Sequence, residues 1–74
     1  MQVQQDGKGN DYIDVGNIRI TYLEKCSWDS ASPGLRVQAY RDGQSNSLHQ
    51  GAEIPIKTPK IALEVIAAIA LLIR

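Results

Sequence analysis

Apolar and polar positions alternate over two stretches of the chain, then give way to a stretch with almost no polar positions at all. From Ile18 to Lys25, Ile18, Ile20 and Tyr22 fall on one side and Arg19, Thr21, Leu23 and Lys25 on the other. A period of two is the mark of a strand with one covered face. Leu35, Val37 and Ala39 alternate in the same way with Arg36, Gln38 and Tyr40. Gly16-Asn17, a two-residue hairpin turn, joins the first of these strands to a shorter one at Tyr12 to Val15. Ala52 to Ile56 is a fourth strand, with Ile54 and Ile56 directed to the core. Pro55 has no N–H to donate and suits a sheet edge. Ser27 to Gly34, which collects Ser, Asp, Pro and Gly around Trp28, predicts a loop, as does the polar run from Asp42 through His49.

The C-terminal stretch follows a different rule. Thr58-Pro59 is a helix start: a hydroxyl cap followed by proline at the first helical position. Beyond it only Lys60, Glu64 and Arg74 carry charge, and every residue from Val65 to Ile73 is apolar. A helix covering one sheet needs an apolar stripe of roughly 100°. Here Ile61, Leu63, Val65, Ile66, Ile69, Leu72 and Ile73 spread over more than half the circumference. Such a helix needs a second apolar partner. The expected partner is another copy of the chain, met through Ile61, Val65, Ile66, Ile69, Leu72 and Ile73. No membrane contact is expected, because Ile61 to Ile73 would span about 20 Å against a hydrocarbon core of roughly 30 Å.

The predicted architecture is α+β. Residues 1–10, with Gly7, Gly9 and Asn10 and no apolar period, form a flexible tail, and residues 11–74 form a single domain. Within it a four-stranded antiparallel sheet precedes one C-terminal helix (ββββα). The helix covers the apolar face of the sheet in a two-layer, helix-mediated homodimer. The opposite face is expected to show Arg19, Thr21, Lys25, Arg36, Gln38 and Tyr40 to solvent.

Length and charge narrow the function. A chain of 74 residues is near the small end of what folds unaided, where oligomerisation commonly supplements the core. Eight basic and eight acidic residues balance, which argues against a strong attracting field for nucleic acid while leaving room for a local patch. One cysteine excludes an internal disulfide, and the polar N-terminal residues carry no secretory signal, so a cytoplasmic location is expected. Enzymatic chemistry is not expected. Cys26 and His49 are each alone of their kind and cannot by themselves complete a zinc site, and nothing in the spacing pairs them as nucleophile and base. Asp11 and Asp14 flank a short strand, and Asp29 and Asp42 lie in predicted turns, where aspartate serves local hydrogen bonding. Gly7 and Gly9 lack the flanking strand and helix of a phosphate loop. No metal and no cofactor is expected.

The run from Cys26 through Trp28, Pro33-Gly34 and Arg36 to Tyr40 resembles the centre of small bacterial members of the positive-cofactor-four-like (transcriptional coactivator) family. Gly51, the short strand at Ile54 and Ile56, and the helix start at Thr58-Pro59 extend the resemblance over residues 18–74. It implies a four-stranded sheet plus helix, a dimer joined through the helices, and single-stranded DNA bound on the opposite sheet surfaces. Carried over residue by residue, it makes Arg19, Lys25, Trp28, Arg36 and Tyr40 the candidate nucleic-acid contacts. Cations following phosphates and an aromatic ring stacking a base are what such a platform needs. The family places lysines around the glycine before the last strand, whereas this chain has His49-Gln50-Gly51-Ala52-Glu53. Fewer phosphates would therefore be neutralised. Two readings follow: a non-enzymatic binder of single-stranded DNA or RNA using the outer sheet face, or a small dimeric protein-interaction module, an adaptor or inhibitor, with no nucleic-acid role.

Overall fold

The computed structural model describes residues 1–73 apart from Trp28, Ser30, Asp42 and Gly43, and for Arg41 and residues 44–47 the backbone alone. The chain is α+β, an open antiparallel sheet followed by one C-terminal helix. The strands are β1 (Gln4–Gln5), β2 (Asp11–Val15), β3 (Ile18–Leu23), β4 (Gly34–Arg41), β5 (Gln44–Leu48) and β6 (Ala52–Pro55), and the helix is α1 (Pro59–Leu72). Neighbours run in the order β1-β2-β3-β4-β5, and β6 also pairs with β4. Because β3 occupies one edge of β4 from Gly34 to Ala39, β5 and β6 lie end to end along the other.

The four expected strands are present, and two more join them. Gln4–Gln5 pairs with Asp11–Tyr12, so the segment expected as a flexible tail contributes a short strand. Asp6 holds the turn between them: its carboxylate accepts the main-chain N–H groups of Lys8 and Asn10, each at 2.9 Å, and Gly9 supplies a positive φ of 83°. The expected polar loop from Asp42 to His49 contains β5, which has no apolar face and is placed by backbone pairing with β4. At the β2–β3 turn only Gly16 has positive φ, 59°, as in a type II′ hairpin.

Register assigns the two faces. Ile13, Ile20, Val37 and Ala52 align across the sheet, as do Val15, Ile18 and Ala39, and Tyr22, Leu35 and Ile54. These form the apolar face. Asp14, Arg19 and Gln38 align on the other, as do Tyr12, Thr21, Arg36 and Glu53.

The helix starts as its sequence demands. Thr58 is extended, its Oγ1 accepts the N–H of Ile61 at 3.2 Å, and Pro59 opens the first turn. Where it goes differs from expectation. Among the described residues no Cα of α1 comes within 8 Å of a strand Cα, and only Ala62 and Val65 are half-buried. The apolar face of the sheet is consequently not covered, and Val15, Ile18, Tyr22, Val37 and Ile54 are all exposed. The first turn of α1 stands at the β6 side, where Ala62 shares a hollow with Tyr22 and Leu35, and the helix does not pack across the sheet.

The best-buried residues sit on the polar face. Leu23, directly opposite Gly34, is 7% exposed and Thr21 2%. A Cβ on Gly34 would meet the Cβ of Cys26 at 3.0 Å, which places Cys26, itself 2% exposed, over that face. The segment between β3 and β4 therefore folds across the end of the polar face. It is knit by Asp29, which accepts from the Ser32 hydroxyl at 2.9 Å and the Ala31 N–H at 3.1 Å. The reason is local: Leu23 is an apolar side chain emerging on the side the alternation assigns to water, and the loop brings Cys26 to Gly34, directly opposite it.

Gly51 lets the chain pass close to β4. A Cβ there would overlap the carbonyl oxygen of Val37 and approach Cγ of Gln38 to 2.7 Å, whereas one on Gly7 would meet nothing within 4 Å. Gly51→Ala is expected to lower stability by roughly 1–3 kcal/mol, the usual cost of forcing atoms into occupied space. Chemical denaturation of Gly51→Ala beside Gly7→Ala checks this; equal midpoints would mean that Gly51 does not lie against β4.

Candidate ligand-facing surface

Among the described residues two ion pairs occupy the polar face. On β2 and β3, Arg19 lies directly across from Asp14 and binds its carboxylate with Nε at 2.9 Å and Nη2 at 3.3 Å. The guanidinium lies over the Tyr12 ring, 3.8 Å from its centroid, with the Tyr40 ring at 5.5 Å. It also donates to the Tyr40 hydroxyl, which in turn donates to Asp14 at 3.2 Å. Arg19 is thus held by two aromatic rings and a carboxylate, an arrangement that combines cation–π attraction with a forked charge-assisted bond. The Arg19 hydrogen bond holds the Asp14 carboxyl below its usual range, with help from Tyr40, and Asp14 in turn raises the guanidinium.

On β4 and β6, Arg36 lies opposite Glu53 and donates through Nη2 at 2.9 Å and Nε at 3.2 Å. The other oxygen of Glu53 accepts the Ser27 hydroxyl at 2.6 Å and the Ser27 N–H at 3.1 Å. Glu53 therefore ties the β3–β4 loop to the sheet. Its carboxyl is held below the ordinary value first by the Ser27 hydroxyl and then by Arg36.

The structure thus brings Arg19 and Tyr40 into one cluster with Tyr12 and Asp14, and puts Arg36 in another with Glu53 and Ser27. Lys25, expected within the strand, lies two residues beyond the end of β3, is exposed, and makes no ion pair among the described residues. Trp28 lies outside the described residues. Thr21, expected on the solvent side, is buried beneath the loop, and Gln38 donates to the carbonyl of His49 at 3.2 Å. The outer face is therefore not the open row of cations and polar groups that alternation suggests. Sequence reasoning passed over Tyr12 and Asp14, although the two-residue turn at Gly16-Asn17 already sets Asp14 across from Arg19.

Cys26 and His49 are kept apart. Cys26 packs at Gly34, whereas the His49 N–H donates to Ala39, five residues further along β4 and so roughly 17 Å away at strand spacing. Among the described residues no three His, Cys, Asp or Glu side chains gather as a metal site, and no helix is long and apolar enough to cross a membrane.

Both carboxyls are depressed in the folded chain, so their contribution to stability is present above their unfolded values and is lost as pH falls through their folded ones. Stability is expected to hold at neutral pH and to decline as acid is added below about 4.5, the ordinary value for glutamate. Glu53→Gln should give a shallower decline in denaturation experiments run across pH; an unchanged slope would show that Glu53 does not tie the loop down. Comparison of the chain with protein-family models, curated proteins and solved structures finds no match, so what it does has to be inferred from this geometry.

Proposed function

We propose that this chain is a non-enzymatic interaction module that works as a homodimer, joined through α1 and the apolar face of the sheet. One observation carries the proposal. A folded monomer of this length is expected to expose about 4,500 Å², yet a single copy exposes 5918 Å². The difference, about 1,400 Å² per chain, lies within the range that obligate dimers bury on each side. It is also apolar: Leu63, Ile66, Ile69, Leu72 and Ile73 are 52–77% exposed on the helix, facing the same water as Val15, Ile18 and Tyr22 on the sheet. Patches of that size on a lone chain mark an association surface.

With the apolar side engaged, the polar face is left for a partner. A protein partner suits a surface on which Arg19 and Arg36 are each matched by a carboxylate. Single-stranded nucleic acid is a second reading, favoured by Tyr12 and Tyr40 flanking Arg19, and by the resemblance to the positive-cofactor-four-like family. A phosphate would have to compete with Asp14 or Glu53 for these part-buried guanidinium groups. Arg19, Lys25 and Arg36 would contact phosphates while Tyr40 stacks a base, which limits the salt dependence of log K to a slope of about −2.

Sedimentation at micromolar concentration is expected to give a species of two-chain mass. Ile66→Lys is expected to weaken association by about 100-fold or more, through loss of a buried side chain and introduction of a charge. A well-folded wild type of one-chain mass would end the proposal. For the second reading, short oligonucleotides should bind at low salt, less tightly to Arg36→Ala/Tyr40→Ala and more tightly to Glu53→Gln, where the competing carboxylate is gone. If the wild type has no salt-sensitive affinity, nucleic acid is not its ligand.

A further inference from the structure

We infer that the apolar face of each sheet takes the α1 helix of a second copy, so that the dimer forms by reciprocal exchange of helices. The inference rests on the homodimer proposed above and specifies which surfaces meet in it.

Two concave stretches, each about 300 Å³, run along this face and share Tyr22 and Leu35. One is lined by Val3, Ile13, Val15 and Ile20, the other by Ile56, Pro59 and Ala62. Together they make a continuous apolar trough from β1 to the β6 side. Five strands in the order β1-β2-β3-β4-β6 span about 19 Å at the usual strand spacing. The 14 residues of α1 are about 21 Å long. Length and chemistry of the helix therefore match the trough.

The helix of the same chain does not fill it. Its first turn stands at the β6 end, where Ala62 lines the trough, and from there the helix runs clear of every strand. The N-terminal segment does not fill it either, because β1 is paired with the edge of β2 and leaves Val3 on the wall of the trough. Among the described residues α1 is the one apolar element left without a surface to cover it. A dimer made only by packing α1 against α1 would leave Val15, Ile18, Tyr22, Val37 and Ile54 in water. Exchange covers both surfaces at once. A symmetric pair in which each helix meets the other's sheet is closed, with no surface left over for a third chain.

The test uses full-length chains with single cysteines at exposed positions. Val15→Cys stands at the far end of the trough, and Ile69→Cys on the later turns of the helix. Two differently tagged chains, one with each substitution, are refolded together and oxidised, with the parent chain and its buried Cys26 as control. The expected main product is the mixed disulfide between the two tags, and a chain carrying both cysteines should cross-link between molecules. Predominant coupling of Ile69→Cys to itself, or closure of the disulfide within one chain, would overturn the exchange. Sedimentation of the same unoxidised samples separates the two ideas. Two-chain mass with the wrong cross-link removes only the exchange, whereas one-chain mass removes the homodimer with it.

Discussion

The structure is governed by a shortage of cover. A sheet with one apolar face and a helix apolar on nearly all sides both require burial, and a chain of 74 residues has no third layer to supply it. Among the described residues only Leu23 and Cys26 of the hydrophobic side chains are buried, and they lie at the loop between β3 and β4, not against the helix. So little interior cannot offset the conformational entropy of ordering the chain, which stands at about 1–2 kcal/mol for each residue's backbone. In the homodimer proposed above, the apolar surface that one copy leaves in water would supply the missing burial. On that proposal assembly would be a condition of folding, as it is for obligate dimers whose monomers have no stable folded form.

The polar face follows from the same constraint. Because the small interior lies on this side, Cys26 and Ser27 of the loop after β3 lie over it, and Glu53 fastens them through Ser27. Glu53 then faces Arg36 on the neighbouring strand, and the cation is engaged by the group that secures the loop. Arg19 is engaged for a different reason: the short hairpin fixes Asp14 opposite, and the rings of Tyr12 and Tyr40 hold the guanidinium between them. A ligand arriving at this face meets charges already matched and aromatic rings already in contact with a cation. It has to compete for both.

Alternation made the central part of the fold legible. Ile18 to Tyr22 and Leu35 to Tyr40 have side chains that sort by face, Gly16 marks the turn, and Thr58-Pro59 fixes the helix start, so these elements stand close to where the pattern puts them, although β3 ends at Leu23 and not at the expected Lys25. The added strands were not legible, because Gln4–Gln5 and Gln44–Leu48 have no apolar alternation and are ordered by backbone pairing to strands far along the chain. Leu23 was the overlooked signal on the polar face. A leucine in a polar row, three residues before a cysteine, marks a place where something must cover the sheet. The pairing of Glu53 with Arg36 was out of reach, since it depends on which edge of β4 receives β6. The course of the helix was out of reach too, because apolar content shows that burial is needed and not where it occurs.

Strand β4 links these two halves of the molecule. Its side chains alternate between the clusters, with Arg36 and Tyr40 on one face and Leu35 and Val37 on the other, and it pairs with β3, β5 and β6. A shift of one residue in its register would turn the ion pairs into the apolar trough and the trough into the ion pairs. Gly34 and Gly51 guard that register from opposite ends of the β6 pairing, Gly34 by admitting Cys26 and Gly51 by admitting the Val37 carbonyl. Any partner that seats on the apolar face thereby stabilises the same register that orients Arg19, Arg36 and Tyr40. In the homodimer proposed above, assembly on one side and recognition on the other would thus be coupled through a single strand, with no moving part required between them.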